Sequence, residues 1–193
     1  MRVVIIDYGA GNVFSVTMAL KRIGVEPIIS SDAEVIRAAD RVIFPGVGQA
    51  SAAMEQLRAN HLERLIPQLQ MPVLGICLGM QLMCRTTEED HTQGLGIFPL
   101  DVKRFVGSYK IPHMGWNTIS GLKSSLLEDI AESAWMYFVH SYYVPENEYS
   151  IAKCDYYGLF SAVIQKDNFY GCQFHPEKSA TAGEKILENF IRL

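Results

Sequence analysis

Four short apolar runs, each closed by a turn and followed by a helical pattern, constrain this chain more than any other feature. They are RVVII at 2–6, VEPIIS at 25–30, RVIFPG at 41–46 and MPVLGI at 71–76. None alternates apolar with polar residues, so each predicts a strand covered on both faces, as in a parallel sheet. Between them, VFSVTMALKRIG has helical spacing and closes on Gly24 as its C-cap. SDAEVIRAA offers Ser31 as an N-cap with Glu34 three residues on, the capping-box pattern. ASAAMEQLRANHLERLIPQLQ reads as mostly helical with an interruption at Pro67, and LGMQLMCRTTEE as the start of another helix. Strand–helix units in this order predict an α/β fold with helices on both sides of a mostly parallel sheet. Ligand groups of such sheets lie beyond the strand C-termini, where Asp7, the PGVG turn at 45–48 and Cys77 all fall.

The second half changes character. DVKRFVG, KIPHMGWNTI, AWMYFVHSYYV, YSIAKCDYY and FSAVIQKDNFYGCQFHP are short runs between turn signals, and they predict strands, several of them antiparallel. GEKILENFIRL predicts a closing helix. With no repeat, low-complexity tract or linker, the expectation is one continuous domain over residues 1–193. A chain of that length buries roughly 70% of its unfolded surface and needs no disulfide or metal staple. A formal charge of −4 with no dense Lys/Arg block argues against nucleic-acid binding. No apolar stretch has the length of a membrane span, and MRVVIIDYG opens into a strand, without the parts of an export signal. The four cysteines, 77, 84, 154 and 172, form no CxxC pair and no zinc spacing, and the five histidines form no HxH or HExxH pair. The expectation is a reduced, cytoplasmic protein without a metal site or cofactor, in which a thiolate can work.

Two segments carry chemistry. In GICLGMQ, Cys77 follows a strand, and glycines at 75 and 79 leave room for a cramped turn into a helix. That is the logic of a nucleophile elbow with cysteine in place of serine. There the helix N-terminus favours thiolate, and the Leu78 N–H faces a nascent oxyanion. Free cysteine is also among the most buried residue types, so a plain packing role competes. In GCQFHPE, apolar and polar residues alternate until Pro176 stops the strand, and His175 and Glu177 lean the same way if extended. A carboxylate beside a histidine fixes its tautomer and stabilises the imidazolium; a surface pair on a turn is the alternative. Taken together, the segments propose Cys77 as nucleophile, His175 as base and acid, and Glu177 as orienter. DYGAGN lacks the third glycine of a dinucleotide fingerprint and the GK[ST] of a P-loop. PGVG follows the strand before the cysteine strand, so N–H groups of Val47 or Gly48 can supply a second oxyanion donor. His140, Ser141 and Tyr142 interrupt an apolar strand with three hydrogen-bonding groups, as a small polar substrate requires.

GICLGMQ with QFHPEKS resembles the triad segments of class I glutamine amidotransferases. DYGAGN, FPGVG, GICLGMQLM, IPHMGWN, YFVHSYY and GCQFHPEKS together resemble the glutaminase-subunit family of imidazole glycerol phosphate synthases. The resemblance runs from residue 7 to residue 179. It implies a flavodoxin-like three-layer α/β sandwich that hydrolyses L-glutamine to glutamate and ammonia through a thioester on Cys77. It also implies an oxyanion hole at Val47, Gly48 and Leu78, with substrate held by Gly46, Gln81, His140, Ser141 and Tyr142. The implied partner is a (β/α)8-barrel cyclase in a heterodimer. The cyclase would take the ammonia and convert the nucleotide PRFAR to imidazole glycerol phosphate and AICAR, and PGVG would switch by a peptide flip when it docks. Tyr8, Asn12, Met114, Trp116, Asn117 and Tyr137 fall in the segments that resemble its docking face. The chain departs from the family at Gln49–Ala50, where a small residue and Phe are commoner, and at CRTTEE after the cysteine helix. A stand-alone cysteine hydrolase and a non-catalytic interaction module remain the competing classes.

Overall fold

The computed structural model describes residues Met1–Leu193. Its first half alternates strands with helices: β1 (Val3–Ile6), α1 (Val13–Arg22), β2 (Ile28–Ser30), α2 (Ala33–Arg37), β3 (Arg41–Gly46), α3 (Ala50–Ala59), α4 (Leu62–Leu65), β4 (Val73–Cys77) and α5 (Leu78–Leu82). Strands dominate the second half: β5 (Cys84–Thr87), β6 (Thr92–Gln93), β7 (Phe98–Arg104), β8 (His113–Thr118), β9 (Trp135–His140), β10 (Tyr142–Tyr143), β11 (Ser150–Asp155), β12 (Leu159–Lys166) and β13 (Phe169–Cys172). The long helix α6 (Ala180–Arg192) closes the chain.

The main sheet has seven strands in the order β11-β12-β13-β4-β3-β1-β2. From β13 to β2 every pairing is parallel, and β11 and β12 add an antiparallel margin. Side chains alternate between two cores. Val3 and Ile5 pack on one face with α1 and α6, while Val4 and Ile6 pack on the other with α2 to α5. The layering is therefore helix, sheet, helix, as the uninterrupted apolar runs predict, except that β2 lies at the sheet edge and leaves Ile28 and Ile29 exposed. A four-stranded sheet (β10-β7-β5-β6) and the β8–β9 hairpin flank the C-terminal edge.

Several local expectations need correction. Asp32, not Ser31, caps α2, because its carboxylate accepts from the Glu34 and Val35 N–H groups. Gly24 stands one residue past the α1 cap, Ile23, and takes the left-handed conformation there. The break in 50–70 comes at His61, which adopts φ 57, while Pro67 sits inside a short 3₁₀ turn. The helix after Cys77 ends at Leu82, since the chain turns at once into β5. Cys84 therefore belongs to a strand and not to that helix.

Candidate active site

Strand β4 is central, and its neighbours β3 and β13 run parallel to it on either side. Their C-termini deliver PGVG, Cys77 and the segment leading to His175 to one edge. Cys77 ends β4 with φ 55 and ψ −111, a strained conformation for a residue bearing a Cβ. The flanking glycines explain how it is held. A Cβ on Gly79 would lie 2.0 Å from the Phe44 carbonyl oxygen, and one on Gly46 would lie 2.5 Å from the Gly79 nitrogen. The start of α5 thus presses on the backbone of β3, and only glycine fits at the contact.

His175 lies past the end of β13, which stops at Cys172. Glu177 is in a 3₁₀ turn, so the pair meets across a turn and not along an extended strand as the alternation suggested. Glu177 Oε1 lies 2.8 Å from His175 Nδ1, and both side chains are almost wholly buried. His175 Nε2 is buried without a hydrogen-bond partner in the protein. Burial alone would lower the pKa of His175, but Cys77 and Glu177 outweigh it and lift it to about 10. Two bonds to its backbone fix His175 from behind: its N–H donates to the Tyr137 carbonyl at 2.9 Å, and Ser179 Oγ donates to its carbonyl at 2.6 Å.

Cys77 Sγ is 3.8 Å from the Val139 carbonyl oxygen and 3.8 Å from Gln173 Nε2, which donates to it. The other three cysteines do not line the cavity at Cys77. Burial pushes the Cys84 and Cys172 thiols far up and the Cys154 thiol up to about 12, and acidic groups nearby add to each shift. They are inert packing groups.

A cavity of about 320 Å³ opens on Cys77. It gathers Val47, Gly48, Leu78, Gln81, His140, Ser141, Tyr142 and His175, all singled out from sequence. Gly46 does not line it; that glycine serves the backbone contact with α5. Gly48 has φ +96, which an L side chain adopts only under strain. Sequence reasoning missed Glu89, Pro112 and Val139 in the wall, and Gln173 behind it. Glu89 sat in what read as helix, and nothing in EED marked it. Gln173 lies inside GCQFHPE and was passed over between the cysteine and the histidine.

The amide of Gln81 is fully directed. Its Nε2 donates to the Tyr142 carbonyl at 2.9 Å and to Gln173 Oε1 at 2.8 Å, which leaves Oε1 as the group free to accept. Glu89 Oε2 accepts from the Ala50 N–H at 2.9 Å, and burial raises the carboxyl pKa in spite of that bond. Gln81 Oε1 and the Glu89 carboxylate are thus hydrogen-bond acceptors in the cavity wall. No three His, Cys, Asp or Glu side chains stand where they could share a metal ion.

The docking candidates divide. Met114 and Trp116 are 55% and 50% exposed on β8, and Asn12, Asn117 and Tyr137 are half-buried. Tyr8 is buried, with its hydroxyl donating to the Pro45 carbonyl at 3.0 Å. Its side chain therefore braces PGVG and presents nothing to a partner. No helix is long and apolar enough to cross a membrane.

Residues 4–193 match the family described as glutamine amidotransferase class-I. The chain is 57% identical to an imidazole glycerol phosphate synthase subunit HisH of Bacteroides fragilis over the full length of both. It is 47% identical, again over both full lengths, to the subunit of that name in Escherichia coli K12. Among solved structures, a GMP synthase subunit of Thermoplasma acidophilum superposes with TM-score 0.77 at 18% identity, over 100% of this chain and 92% of that one. At that identity the likeness speaks to the fold alone.

Proposed function

The chain belongs to the class-I glutamine amidotransferases, and from that premise we propose that it is the glutaminase subunit of an imidazole glycerol phosphate synthase, acting in histidine biosynthesis. The observation that carries the chemistry is the convergence of Cys77 and His175 on one cavity, beyond the ends of neighbouring parallel strands, with Glu177 bonded to His175 from behind.

Cys77 attacks the carboxamide carbon of L-glutamine as thiolate, with the imidazolium of His175 as its counter-ion. The tetrahedral oxyanion is received by the Leu78 N–H at the start of α5 and by an N–H of the Val47–Gly48 peptide. His175 Nε2, the nitrogen not engaged by Glu177, gives its proton to the departing nitrogen, so that ammonia leaves and a thioester remains. It then takes a proton from the water that attacks the thioester. Glutamate is released, and Cys77 returns to its starting state. Glu89 and Gln81 Oε1 take the substrate ammonium, and the Ser141–Tyr142 segment faces its carboxylate. Gly46 shapes this wall from behind, by letting α5 approach β3.

The ammonia passes to a (β/α)8-barrel cyclase, which converts PRFAR to imidazole glycerol phosphate and AICAR. The exposed Met114 and Trp116 face, with Asn12, Asn117 and Tyr137 beside it, is the docking side of a cytoplasmic heterodimer. Gly48 is the hinge through which docking turns the Val47–Gly48 peptide toward the substrate.

Glutamate release from L-glutamine tests this, measured for the chain alone and with the barrel cyclase and its nucleotide ligand. Release should rise steeply in the complex and vanish in Cys77→Ala. Fast release by the lone chain would overturn the gating, and release by Cys77→Ala would overturn the nucleophile.

A further inference from the structure

The IPHMGWN segment supplies more than an exposed face. His113 on β8 and His140 on β9 are both buried and sit opposite each other in the hairpin, with His113 Nδ1 3.0 Å from His140 Nε2. Two imidazole nitrogens at that distance need one hydrogen between them, and their surroundings decide whose it is. His140 Nδ1 is 2.7 Å from the Tyr142 carbonyl, which can only accept, so His140 carries its proton on Nδ1. Its Nε2 is then an acceptor, and His113 must donate from Nδ1. That leaves His113 Nε2 to accept, and Asn117 Nδ2 faces it at 3.3 Å. The Asn117 amide cannot be reversed, because its Nδ2 also donates to the Asp155 carbonyl at 2.9 Å and its Oδ1 accepts from the Thr118 N–H at 2.8 Å. Every bond points one way.

The chain of bonds continues into the cavity wall. The Tyr142 carbonyl accepts from His140 and from Gln81, Gln81 donates to Gln173, and Gln173 donates to Cys77 Sγ. Burial holds both histidines neutral, His113 at a pKa of about 4 and His140 at about 3, so the pair keeps its single shared hydrogen at neutral pH.

We propose that His113, which does not line the cavity, is a positioning residue for the substrate: by holding His140 in one tautomer it fixes the Tyr142 carbonyl, and through it the Gln81 amide that presents Oε1 to the ligand. Without it, the Tyr142 bond alone holds that tautomer and His140 Nε2 is left buried without a partner; whenever the proton moves to Nε2, the Tyr142 carbonyl loses a donor and the Gln81 amide can rotate. The substrate role rests on the glutaminase reading, whereas the tautomers do not depend on it.

The experiment has two arms. Long-range proton–nitrogen NMR of the labelled wild-type chain should show His113 and His140 both protonated on Nδ1, with no substrate or partner needed. In the assembled synthase, His113→Phe should raise KM for L-glutamine about tenfold, with kcat changed by less than about twofold, as expected when a buried acceptor is left unpaired. His113→Asn keeps a donor near the Nδ1 position and should bring KM back to within about threefold of wild type. His113→Gln carries its amide toward the Nε2 position, so it should behave like the Phe variant while remaining polar in the core. An Nε2-protonated His140 in the wild type, or equal KM values for the Asn and Gln variants, overturns the proposal. Absence of glutamate release from the wild-type synthase would instead sink the glutaminase reading, and the NMR arm would still report on the tautomers.

Discussion

Two groups of buried histidine meet at one cavity, and they hold opposite charge states. His175 is lifted to a pKa of about 10, while His113 and His140 are lowered to about 4 and 3. Burial pushes all three the same way. The difference lies in what stands beside the ring: Cys77 and the Glu177 carboxylate for His175, and for the pair no anion but neutral hydrogen-bond partners, with charge on His113 or His175 lowering His140 further. Depth in the protein therefore does not set the charge of an imidazole here; an anion in contact does. One region is arranged to keep and move a proton, the other to keep its hydrogens where they are.

The contrast can be broken most forcefully at His175 itself. His175→Asn should lower glutamate release by the complex on the order of 10⁴-fold, since it removes the imidazole to which both proton transfers are assigned. His140→Asn keeps a donor toward the Tyr142 carbonyl and should lower kcat/KM by about 10- to 100-fold; parity of the two variants would erase the distinction. Next comes Glu177→Gln, which keeps the shape but removes the anion. It should lower the pKa of His175 from about 10, because the hydrogen bond and the charge of Glu177 both raise it, and should reduce kcat by about 10²–10⁴-fold. Proton NMR of the imidazole against pH reads the first effect, and steady-state kinetics the second.

A smaller effect comes from linkage. With its folded pKa raised, His175 contributes stability that is fully present below about pH 6.5 and is lost as pH rises toward 10. The wild-type melting temperature should decline across that window, and the decline should be smaller in Glu177→Gln, which keeps only the Cys77 contribution. The smallest shift lies outside both clusters. Trp116→Ala should change the melting temperature by no more than about 2 °C, since the ring is half exposed, yet weaken binding to the barrel cyclase about tenfold in a titration. A large melting shift would move Trp116 from the proposed docking face into the framework of the hairpin.

The parts legible in the sequence were those written in short-range pattern. Uninterrupted apolar runs announced the sheet, and GxCxG announced the turn at Cys77, because steric demands of that kind act within a few residues. What stayed hidden depends on distant chain. Tyr8 falls in a segment that resembles the family's docking face, but its hydroxyl is buried against Pro45, 37 residues away. The helix after Cys77 was read too long because the pull of β7 on the Cys84–Thr87 strand is not visible locally. Glu89 reaches the cavity only because the chain bends there, with left-handed conformations at Asp90 and His91. The His113–His140 pair could not be read at all, since their register is set by the pairing of β8 with β9.

The contact between α5 and β3 has a consequence for anyone sampling variants of this chain. At residue 77 the loss of sulfur removes the proposed chemistry but asks little of the packing, so inactive variants there should accumulate as folded protein. At residues 46 and 79 the space is already occupied by backbone, and even a methyl group has nowhere to go. A library scored only for turnover would count both kinds of position as equally intolerant. Scored also for soluble yield, it would separate them, with the glycines failing in expression and the cysteine failing only in the assay.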